Sequence, residues 1–434
     1  MNRKMKDSGV EWIGEIPEDW EVKRIKEILE ERIEKNKNLE LNTILSLSAK
    51  NGVTLYDEKN HSGNKPSEDL SKYKIVRNND IVVNSMNIIA GSVGLSKYEG
   101  CISQVYYIYH NKLDNNIKFI YYIFKCKQFQ ESLKGLGNGI LIKETDKGNL
   151  NTIRTKIPSN KLIMQYSVYC KKMIQDKIVE TLDKKCTQID TLIQNQQQQI
   201  EKLKQYKQSL ITETVTKGLE PNVPMKDSGV EWIGEIPKDW EVNRIKYICE
   251  FNPSNKNKFL DSEIISYSPM ECIKNGYMIN QEIQVSNLVS GLTYFEENDI
   301  LMAKVTPCFE NGNIAIANNL TNGVGYGSSE LFVFRTLSVN RKWLFYFLRN
   351  TKFTDLAKST MTGTGGLKRV SPIFVKNLLL AVPPLDKQEK ISNYLDKKCS
   401  QIDNLIKIKE EKIQKLNDYK KSIIYEYVTG KKEA

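Results

Sequence analysis

The chain has 434 residues, 40% of them hydrophobic and 27% charged, with a formal net charge of +11 and an isoelectric point near 9.0. This length is enough for about two to four domains with cores of their own, and no apolar run reaches the roughly 18 residues of a membrane span. The first residues lack the apolar stretch of a secretory signal, so we expect a cytoplasmic protein. The positive charge predicts a polyanionic partner, nucleic acid first, although the lysine-rich usage of an AT-rich genome would also raise it.

Cysteine and histidine usage argues against a disulfide framework or a metal site. Eight cysteines are scattered without any CxxC pair, and only His61 and His110 could add imidazole ligands. Reduced cysteines in a cytosolic protein are therefore expected, with no metal. Cys186 and Cys399 occupy equivalent positions of a repeat and are predicted to pack inside helices.

Two stretches of the sequence occur twice. Residues 5–26 and 225–246 are identical at 20 of 22 positions, and residues 182–193 and 395–406 at ten of 12. The chain is thus a tandem duplication with a period of about 220 residues. The roughly 130 residues between the repeated stretches have diverged between the two copies. This predicts one scaffold that is present twice and carries a different variable region in each copy.

The elements follow the same order in each copy, beginning with the repeated leader. Pro17 and Pro237 exclude a helix there, and four tryptophans are predicted packing anchors, namely Trp12, Trp20, Trp232 and Trp240. Segments rich in β-branched and aromatic residues then predict strands at 80–86, 104–110, 299–305 and 330–336. An amphipathic helix is predicted at 119–129 and at 343–353, followed by Gly-rich turns at 135–143 and 362–370. A strand that ends at 157–158 or 382–384 closes each α/β region.

A long helix with a heptad seam ends each copy. The seam residues are Ile189, Ile193, Ile200, Leu203 and Leu210 in the first helix and Ile402, Ile406, Ile413, Leu416 and Ile423 in the second. Two equivalent positions of both seams are polar, namely Gln196 with Lys409 and Lys207 with Lys420. The first helix, predicted over 178–216, would be about 58 Å long. It cannot bury its seam alone, so we expect the two helices to pair. Gly218 is predicted to end it, before a short linker at 219–224.

The spacing between the closing strand and the long helix differs between the copies. Leu182 follows Pro158 by 24 residues, whereas Leu395 follows Pro383 by only 12. The first copy is therefore expected to contain about 12 additional residues near 161–172, as a longer helix entry or a bulge.

The sequence contains little that could perform catalysis. A GxxxxGK[ST] phosphate loop is absent, as is the Asn-Pro-Pro-aromatic tetrapeptide of amino-methyltransferases. TGTGG at 362–366 lies between a predicted helix and strand rather than opening a helix, and IKETDK at 142–147 has no counterpart in the second copy. Two histidines and no Ser/His/Asp arrangement leave few candidates for general acid-base work. We therefore expect a binding protein without catalytic residues.

Two similar modules at the ends of a rigid helical spacer have approximate two-fold symmetry, as duplex DNA has. DNA-binding modules are commonly placed about one helical turn, roughly 34 Å, apart, which a pair of long helices can span. Divergence between the variable regions indicates two different half-sites. Near-identical leaders and helices indicate two copies of one partner.

The chain resembles the specificity subunit of type I restriction-modification enzymes over essentially its whole length. The resemblance depends on the repeated SGVEWIGEIPxDWEV leader, the strand exit AVPPLDKQEKI at 381–391 and the LDKKCxQIDxLI helix starts. The first copy departs from this pattern where IPSNKLIMQ replaces the double proline.

The resemblance implies a mixed α/β (α+β) fold with an internal pseudo-two-fold repeat. Two target recognition domains would be separated by two long helices that pair as an antiparallel coiled coil. The implied domains are target recognition domain 1 (1–160), conserved helical region 1 (161–218), a linker (219–224), target recognition domain 2 (225–385) and conserved helical region 2 (386–434).

The resemblance also implies partners and their chemistry. This chain would bind double-stranded DNA at a bipartite, asymmetric target and would assemble with two methyltransferase subunits and two ATP-driven restriction subunits. Adenine methylation with S-adenosylmethionine and cleavage with ATP and magnesium would belong to those partners. This chain itself would hold no cofactor.

Candidate DNA-binding residues are polar or basic side chains in predicted turns, because such side chains can contact phosphates or base edges. In the first domain they are Asn84, Ser85, Asn87, Ser103, Gln104 and Lys143, and in the second they are Lys304, Thr306, Asn311, Ser328, Ser329, Lys368 and Arg369. Asn, Ser and Gly are also ordinary turn residues, so each assignment has a structural alternative.

Two other functions stay open on the residues alone. The chain could be a non-catalytic scaffold that bridges two protein partners through its helices, or it could itself be a nuclease or methyltransferase. Salt separates the scaffold from DNA binding, because binding through phosphate neutralisation weakens steeply with added salt. Metal-dependent or cofactor-dependent turnover by the purified chain would support the enzyme.

Overall fold

The chain forms two compact units. A computed structural model describes residues 3–56, 65–146, 149–255, 259–364 and 366–434, and within 138–155 it describes the backbone alone. The first unit comprises Met1–Gln196 and Glu411–Ala434, and the second comprises Gln197–Glu410. Each unit therefore contains the α/β region of one copy together with one part of each long helix.

The first copy is built from short strands, short helices and one long helix. Its strands are β1 (Met5–Asp7), β2 (Glu15–Pro17), β3 (Glu21–Arg24), β4 (Leu29–Glu31), β5 (Leu45–Ser48), β6 (Gly52–Leu55), β7 (Lys74–Val76), β8 (Ile81–Asn84), β9 (Val93–Leu95), β10 (Gly100–Ile102), β11 (Tyr106–Asn111), β12 (Asn138–Asp146), β13 (Asn149–Lys156) and β14 (Tyr166–Tyr169). Its helices are α1 (Ile25–Ile28), α2 (Ile117–Lys125), α3 (Lys127–Ser132), α4 (Ser159–Leu162) and α5 (Lys172–Lys217).

The second copy follows the same order. Its strands are β15 (Met225–Asp227), β16 (Glu235–Pro237), β17 (Glu241–Arg244), β18 (Cys249–Phe251), β19 (Ile264–Ser268), β20 (Gln281–Gln284), β21 (Thr293–Glu296), β22 (Ile300–Ala303), β23 (Ile314–Ile316), β24 (Val324–Gly327), β25 (Leu331–Thr336) and β26 (Leu379–Val382). Its helices are α6 (Ile245–Ile248), α7 (Arg341–Phe347), α8 (Thr351–Ser359), α9 (Pro372–Asn377) and α10 (Leu385–Val428). Short 3-10 helices lie at Leu70–Lys72, Ile88–Ala90, Met270–Cys272, Val285–Asn287 and Thr321–Gly323.

Each unit has the same central sheet. Four antiparallel strands pair in the order β4-β11-β8-β9 in the first unit and β18-β25-β22-β23 in the second. The strands predicted at 80–86, 104–110, 299–305 and 330–336 are β8, β11, β22 and β25, so these predictions are confirmed. A second sheet, β20-β19-β24-β21, contains a parallel pair between β19 and β24. In the first unit its counterparts are the β5–β6 and β7–β10 pairs, which a parallel bridge from Ile44 to Cys101 connects.

A buried aspartate begins the same strand of both central sheets. Asp80 is 2% exposed and accepts two hydrogen bonds from the Arg32 guanidinium at 2.9 and 3.1 Å. Asp299, also 2% exposed, accepts two from Arg335 at 2.9 and 2.8 Å. Arg32 follows β4, whereas Arg335 lies on β25, so the two copies provide this buried charge with its partner from different strands. Asn79-Asp80-Ile81 matches Asn298-Asp299-Ile300 in the sequence, and the aspartate of each has this structural role.

The repeated leader packs against the end of a long helix in each unit. Trp20 and Trp240 are each 1% exposed. A Cβ atom at Gly218 would lie 3.3 Å from the Trp240 ring, and one at Gly430 would lie 2.6 Å from the Pro17 ring. Both glycines have positive φ values, +83° and +71°, and end their helices as left-handed residues. Gly218 therefore ends α5 as predicted.

The other residues predicted to pack are mostly buried. Trp12 is also buried, and Trp232 is half-buried. All eight cysteines are free thiols. Cys186 and Cys399 are buried in the long helices, and burial raises the pKa of both thiols above its ordinary value.

The closing strand of the first copy differs from the prediction. β14 pairs antiparallel with β3, as β26 pairs with β17. Two residues separate β14 from α5, and two separate β26 from α10. The expected insertion of about 12 residues is therefore wrong, because 157–158 precede the short helix α4 and correspond to the residues before α9. The first long helix also begins earlier than predicted, at Lys172, and has 46 residues.

The Gly-rich segment of the first copy is another difference. The turn predicted at 135–143 ends early, because 138–146 form strand β12, which pairs antiparallel with β13. Three β-branched residues in this stretch, Ile140, Ile142 and Thr145, favour the strand.

In each unit the long helices pack against each other in antiparallel directions. All ten predicted seam residues are buried or half-buried, whereas Leu192 and Ile408 are 46% and 60% exposed. Two of the four polar seam positions form ion pairs: Lys420 contacts Asp190 at 2.7 Å in the first unit, and Lys207 contacts Asp403 at 2.6 Å in the second. Asp190 and Asp403 are themselves equivalent in the repeat, so the same two positions pair in both units.

An alanine at a buried seam position should destabilise the protein. Ile423 is fully buried, and Ile423→Ala should lower the free energy of unfolding by about 2–5 kcal/mol, because it leaves a cavity between the helices. Ile408→Ala on the same helix is the matched control and should change it by less than about 0.5 kcal/mol. Urea denaturation followed by circular dichroism measures both. Equal shifts of the two midpoints would contradict the burial of the seam.

Candidate nucleic-acid interface

Three loops of the second unit meet at one end of its central sheet. They are residues 304–313 after β22, residues 328–330 between β24 and β25, and residues 360–364 and 366–371 between α8 and α9, and we call them the second loop cluster. The Val370 amide donates to the Lys304 carbonyl oxygen at 2.9 Å, and the Lys304 amide donates to the Glu330 carbonyl oxygen at 3.0 Å. The three loops are thus joined by backbone hydrogen bonds.

Side chains reinforce the second loop cluster. Thr306 Oγ1 donates to the Gly366 carbonyl oxygen at 2.6 Å and accepts from the Lys368 amide at 2.9 Å. Lys304 Nζ donates to the Ser329 carbonyl oxygen at 2.7 Å. Because one hydroxyl satisfies both a donor and an acceptor of the facing loop, Thr306 holds Gly366 and Lys368 in place.

A charged pair lies at the surface of this cluster. Arg369 Nε donates to both carboxylate oxygens of Glu330, at 3.0 and 2.9 Å, and its Nη2 donates to Oε1 at 2.7 Å. The hydrogen bonds from Arg369 lower the pKa of Glu330, and the same pairing raises the pKa of Arg369. Both groups are therefore charged at neutral pH.

The structure brings together most of the residues predicted for the second domain. Those in the second loop cluster with contacts across or within it are Lys304, Thr306, Ser328, Ser329, Lys368 and Arg369. Asn311 instead lines a cavity of about 220 Å³ with Gln208, Arg349 and Lys358. Burial lowers the pKa of Arg349, whose Nη2 donates to Asn275 Oδ1 at 2.7 Å.

The first unit has loops in equivalent places. They are residues 85–92 after β8, residues 103–105 between β10 and β11, and the β12–β13 hairpin, and we call them the first loop cluster. The Ile157 amide donates to the Ser85 carbonyl oxygen at 3.1 Å, which is the counterpart of the bond between Val370 and Lys304. Ser85 thus occupies the position that a lysine occupies in the second copy.

The residues predicted for the first domain differ in their exposure. Ser85 is 1% exposed and its Oγ donates to the Val105 carbonyl oxygen at 3.4 Å, so this hydroxyl serves the fold. Asn84 Oδ1 accepts from the Met86 amide at 3.0 Å. The remaining three with described side chains are Asn87 and Ser103, which are half-buried, and Gln104, which is exposed. Lys143 lies on β12, and its side chain is outside the described residues.

The α/β region of each unit is attached to its long helix by the same side chains. Asp183 at the start of the repeated helix segment accepts from Lys118 Nζ and from Tyr122 OH, both at 2.6 Å. The second unit repeats this arrangement with Asp396, Lys342 and Tyr346 at 2.6 and 2.7 Å. These attachments hold α2 and α7, the short helices of the two α/β regions, against the long helices.

A buried glutamine adds a second attachment. Gln175 is fully buried; its Oε1 accepts from the Asn116 amide at 2.9 Å and its Nε2 donates to the Cys170 carbonyl oxygen at 2.8 Å. Gln388 makes the equivalent bonds to Asn340 and Pro383, both at 2.7 Å.

Sequence reasoning did not predict Glu330, Arg349 or the attachment residues. Glu330 is an acidic residue beside two serines, and nothing in its sequence surroundings indicates its contact with Arg369 39 positions later. The attachment residues recur in both copies, so their repetition was a usable signal. His61 lies outside the described residues, and among those described no group of three or more His, Cys, Asp or Glu side chains could hold a metal ion. Over the same described ranges, no helix is long and apolar enough to cross a membrane.

Comparisons with known proteins agree with the repeat. Residues 17–202 and 237–427 each match the type I restriction modification DNA specificity domain. The type I restriction enzyme MjaVIII specificity subunit of Methanocaldococcus jannaschii is 25% identical over 453 residues, which covers 96% of this chain and 93% of that protein. The type I restriction enzyme EcoAI specificity subunit of Escherichia coli is 38% identical over 162 residues, which is 36% of this chain. The match spans only 27% of the Escherichia coli protein.

A solved structure shares the fold. It concerns complex assembly and conformational transition of the type I R-M system, and one of its chains aligns with a TM-score of 0.69 at 12% identity, covering 95% of this chain and 98% of that one. At this identity the likeness concerns the fold alone. The predicted mixed α/β fold with two domains and two long helices is confirmed.

Loss of the Thr306 hydroxyl should loosen the second loop cluster. Thr306→Val leaves the Lys368 amide and the Gly366 carbonyl oxygen without their partner, which costs about 1–3 kcal/mol when such groups are shielded from water. Amide hydrogen exchange in 362–364 and 366–370 should therefore become about 5- to 150-fold faster, as 1–3 kcal/mol implies, while exchange in α7 stays unchanged. Ser329→Ala, which removes an exposed hydroxyl from the same cluster, is the control. Unchanged exchange in Thr306→Val would contradict the role of this hydroxyl.

Proposed function

Because this chain belongs to the family of type I restriction modification DNA specificity domains, we propose that it selects the DNA sequence on which a type I restriction-modification enzyme acts. The observation that carries the proposal is the pair of loop clusters. Both occupy the same place in the fold, and each contains an equivalent backbone hydrogen bond, but their side chains differ. Such a pair fits one DNA half-site for each unit, with a different sequence in each half-site.

The two clusters offer different contacts to DNA. The second presents the cations of Lys304, Lys368 and Arg369, which suit phosphate oxygens and the acceptor atoms of guanine. In the first cluster the described side chains include the amides of Asn87 and Gln104, which suit the adenine edge. The target would therefore be bipartite and asymmetric, and the unread spacer between its parts would be set by the length of the paired helices.

Partner subunits would perform the chemistry. We infer that two methyltransferase subunits dock on the repeated leaders and helix surfaces, since near-identical surfaces suit two copies of one partner. Two restriction subunits would complete the enzyme. Adenine methylation with S-adenosylmethionine, and cleavage with ATP and magnesium, would occur on those subunits in the cytoplasm, and this chain would hold no cofactor. The alternative of a scaffold that bridges two proteins without reading DNA is disfavoured, because the matched family is one of DNA specificity domains.

Methylation mapping tests the proposal. Long-read sequencing that detects modified bases should find a split, asymmetric, adenine-methylated motif in a host that carries this gene with its methyltransferase gene. The same host without this gene should lack the motif. If the methyltransferase binds this chain and no motif appears, the proposal is wrong for this chain and the scaffold is favoured.

A double substitution should affect a single half-site. Lys368→Ala with Arg369→Ala removes two cations of the second loop cluster, so methylation should weaken or relax in one half of the motif, and binding should lose part of its salt dependence. The other half should be read as before, because its contacts belong to the other unit. Lys352→Ala, which removes an exposed cation on α8 of the same unit outside the loop cluster, serves as the control. Wild-type binding and an unchanged motif in the double variant would exclude these residues from the interface.

A further inference from the structure

One acidic side chain lies among the cations of the second loop cluster. Glu330 shares this cluster with Lys304, Lys368 and Arg369. A carboxylate beside a DNA backbone is repelled by the phosphates, so its presence in a DNA-binding surface requires a specific contact. The residue is also outside the set that sequence reasoning assigned to DNA.

Glu330 is held firmly by its own backbone. Its amide donates to Ser328 Oγ at 3.2 Å, and its carbonyl oxygen accepts from the Lys304 amide at 3.0 Å. It directly precedes β25, a strand of the central sheet. Its side chain is 26% exposed, against 47% for Arg369. The carboxylate is therefore the fixed member of the pair and the guanidinium the more accessible one.

The carboxylate occupies only one edge of the guanidinium. Nε and Nη2 of Arg369 both donate to Glu330, at 2.7 to 3.0 Å. Nη1 has no hydrogen-bond partner in the part of the chain that the structure describes. A guanidinium has five N–H groups in a rigid fork, so an arginine held by this edge still offers its terminal Nη1 and Nη2 donors to a second planar group.

We propose that Glu330 is a specificity-determining positioning residue, which holds Arg369 by the Nε and Nη2 edge so that the terminal donors meet the O6 and N7 atoms of one guanine. This inference rests on the proposed function and adds a base and a positioning residue to it. An arginine pointed at a base edge discriminates between bases, whereas an arginine free to reach phosphates adds affinity without sequence information. Glu330 acts in both respects, because it orients the fork and its charge opposes a neighbouring phosphate.

The competing explanation is an ordinary surface ion pair. Such a pair contributes about 0–1 kcal/mol to stability and has no bearing on base choice. Exchanging the two residues separates the explanations. The double variant Glu330→Arg with Arg369→Glu keeps one charge of each sign in the cluster but removes the arginine from the position that faces the base.

The experiment uses the full chain in its methyltransferase complex. Methylated motifs are mapped by long-read sequencing for the wild type, Glu330→Ala, Glu330→Gln, Arg369→Lys and the exchanged double variant. Binding is then measured to duplexes that carry each of the four bases at every position of the mapped motif. Glu282→Gln, an exposed carboxylate on strand β20 of the same unit, is the matched control.

The expected result is loss of selectivity at one guanine. All four altered proteins should lose about tenfold or more of their preference for guanine at a single position in one half-site, which corresponds to the discrimination of one bidentate contact. Arg369→Lys should behave like the others, because lysine keeps the charge but lacks the fork. The other half-site and the control should keep wild-type selectivity.

Several outcomes would overturn the inference. They are a motif half without guanine, unchanged guanine preference in the Glu330 variants, an equal loss at every position, or wild-type selectivity in the exchanged variant. If Glu330→Ala does not fold, Glu330→Gln decides the question, because it removes the charge of the positioning residue and nearly preserves its size. Absence of any motif in the wild type would instead overturn the proposed function, so the two failures are distinguishable.

Discussion

The pairing of two heptad seams is the constraint on which the rest of the molecule depends. An isolated helix of 46 residues with an apolar stripe is not stable in water, because the stripe stays exposed to solvent. In each unit one part of α5 covers one part of α10, and isoleucines such as Ile189 and Ile423 are buried between them. The lysine–aspartate pairs at equivalent seam positions favour this register, because a shifted pairing would leave lysines against apolar residues.

The repeated residues are those that join one element to another. Asp183 and Asp396 each connect a helix of the α/β region to a long helix, and Trp20 and Trp240 each pack on the end of one. Such residues have partners on two sides, so a substitution disturbs both. The residues of the loop clusters do not join one element of the scaffold to another, apart from a few hydrogen bonds. They could therefore diverge. Even the partner of the buried aspartate differs, since it follows β4 in the first copy and lies on β25 in the second, although both copies have the ion pair.

Much of the architecture could be predicted from the sequence, because its causes are local or repeated. The segments rich in β-branched residues predicted the central strands, and the heptad patterns predicted the long helices. The closing strand of the first copy was missed because no double proline follows Tyr166–Tyr169, as one follows its counterpart, and because the Ile-Pro pair at 157–158 resembles that signal. The contact between Glu330 and Arg369 could not be predicted, because only the convergence of two loops distant in sequence creates it. Ser85 was assigned to DNA from its residue type, although its hydroxyl is turned inward to Val105.

The antiparallel ion pairs have an evolutionary consequence. Lys420 and Asp190 face each other although they derive from opposite copies, and Lys207 and Asp403 do the same. Whether a substitution in the helix of one copy is tolerated therefore depends on the helix of the other copy. A tolerated change requires a compensating change some 200 codons away. Covariation among related sequences should consequently link the helices between copies and the loop residues within a copy. The two long helices would thus evolve together, whereas the loops of the two copies would evolve independently.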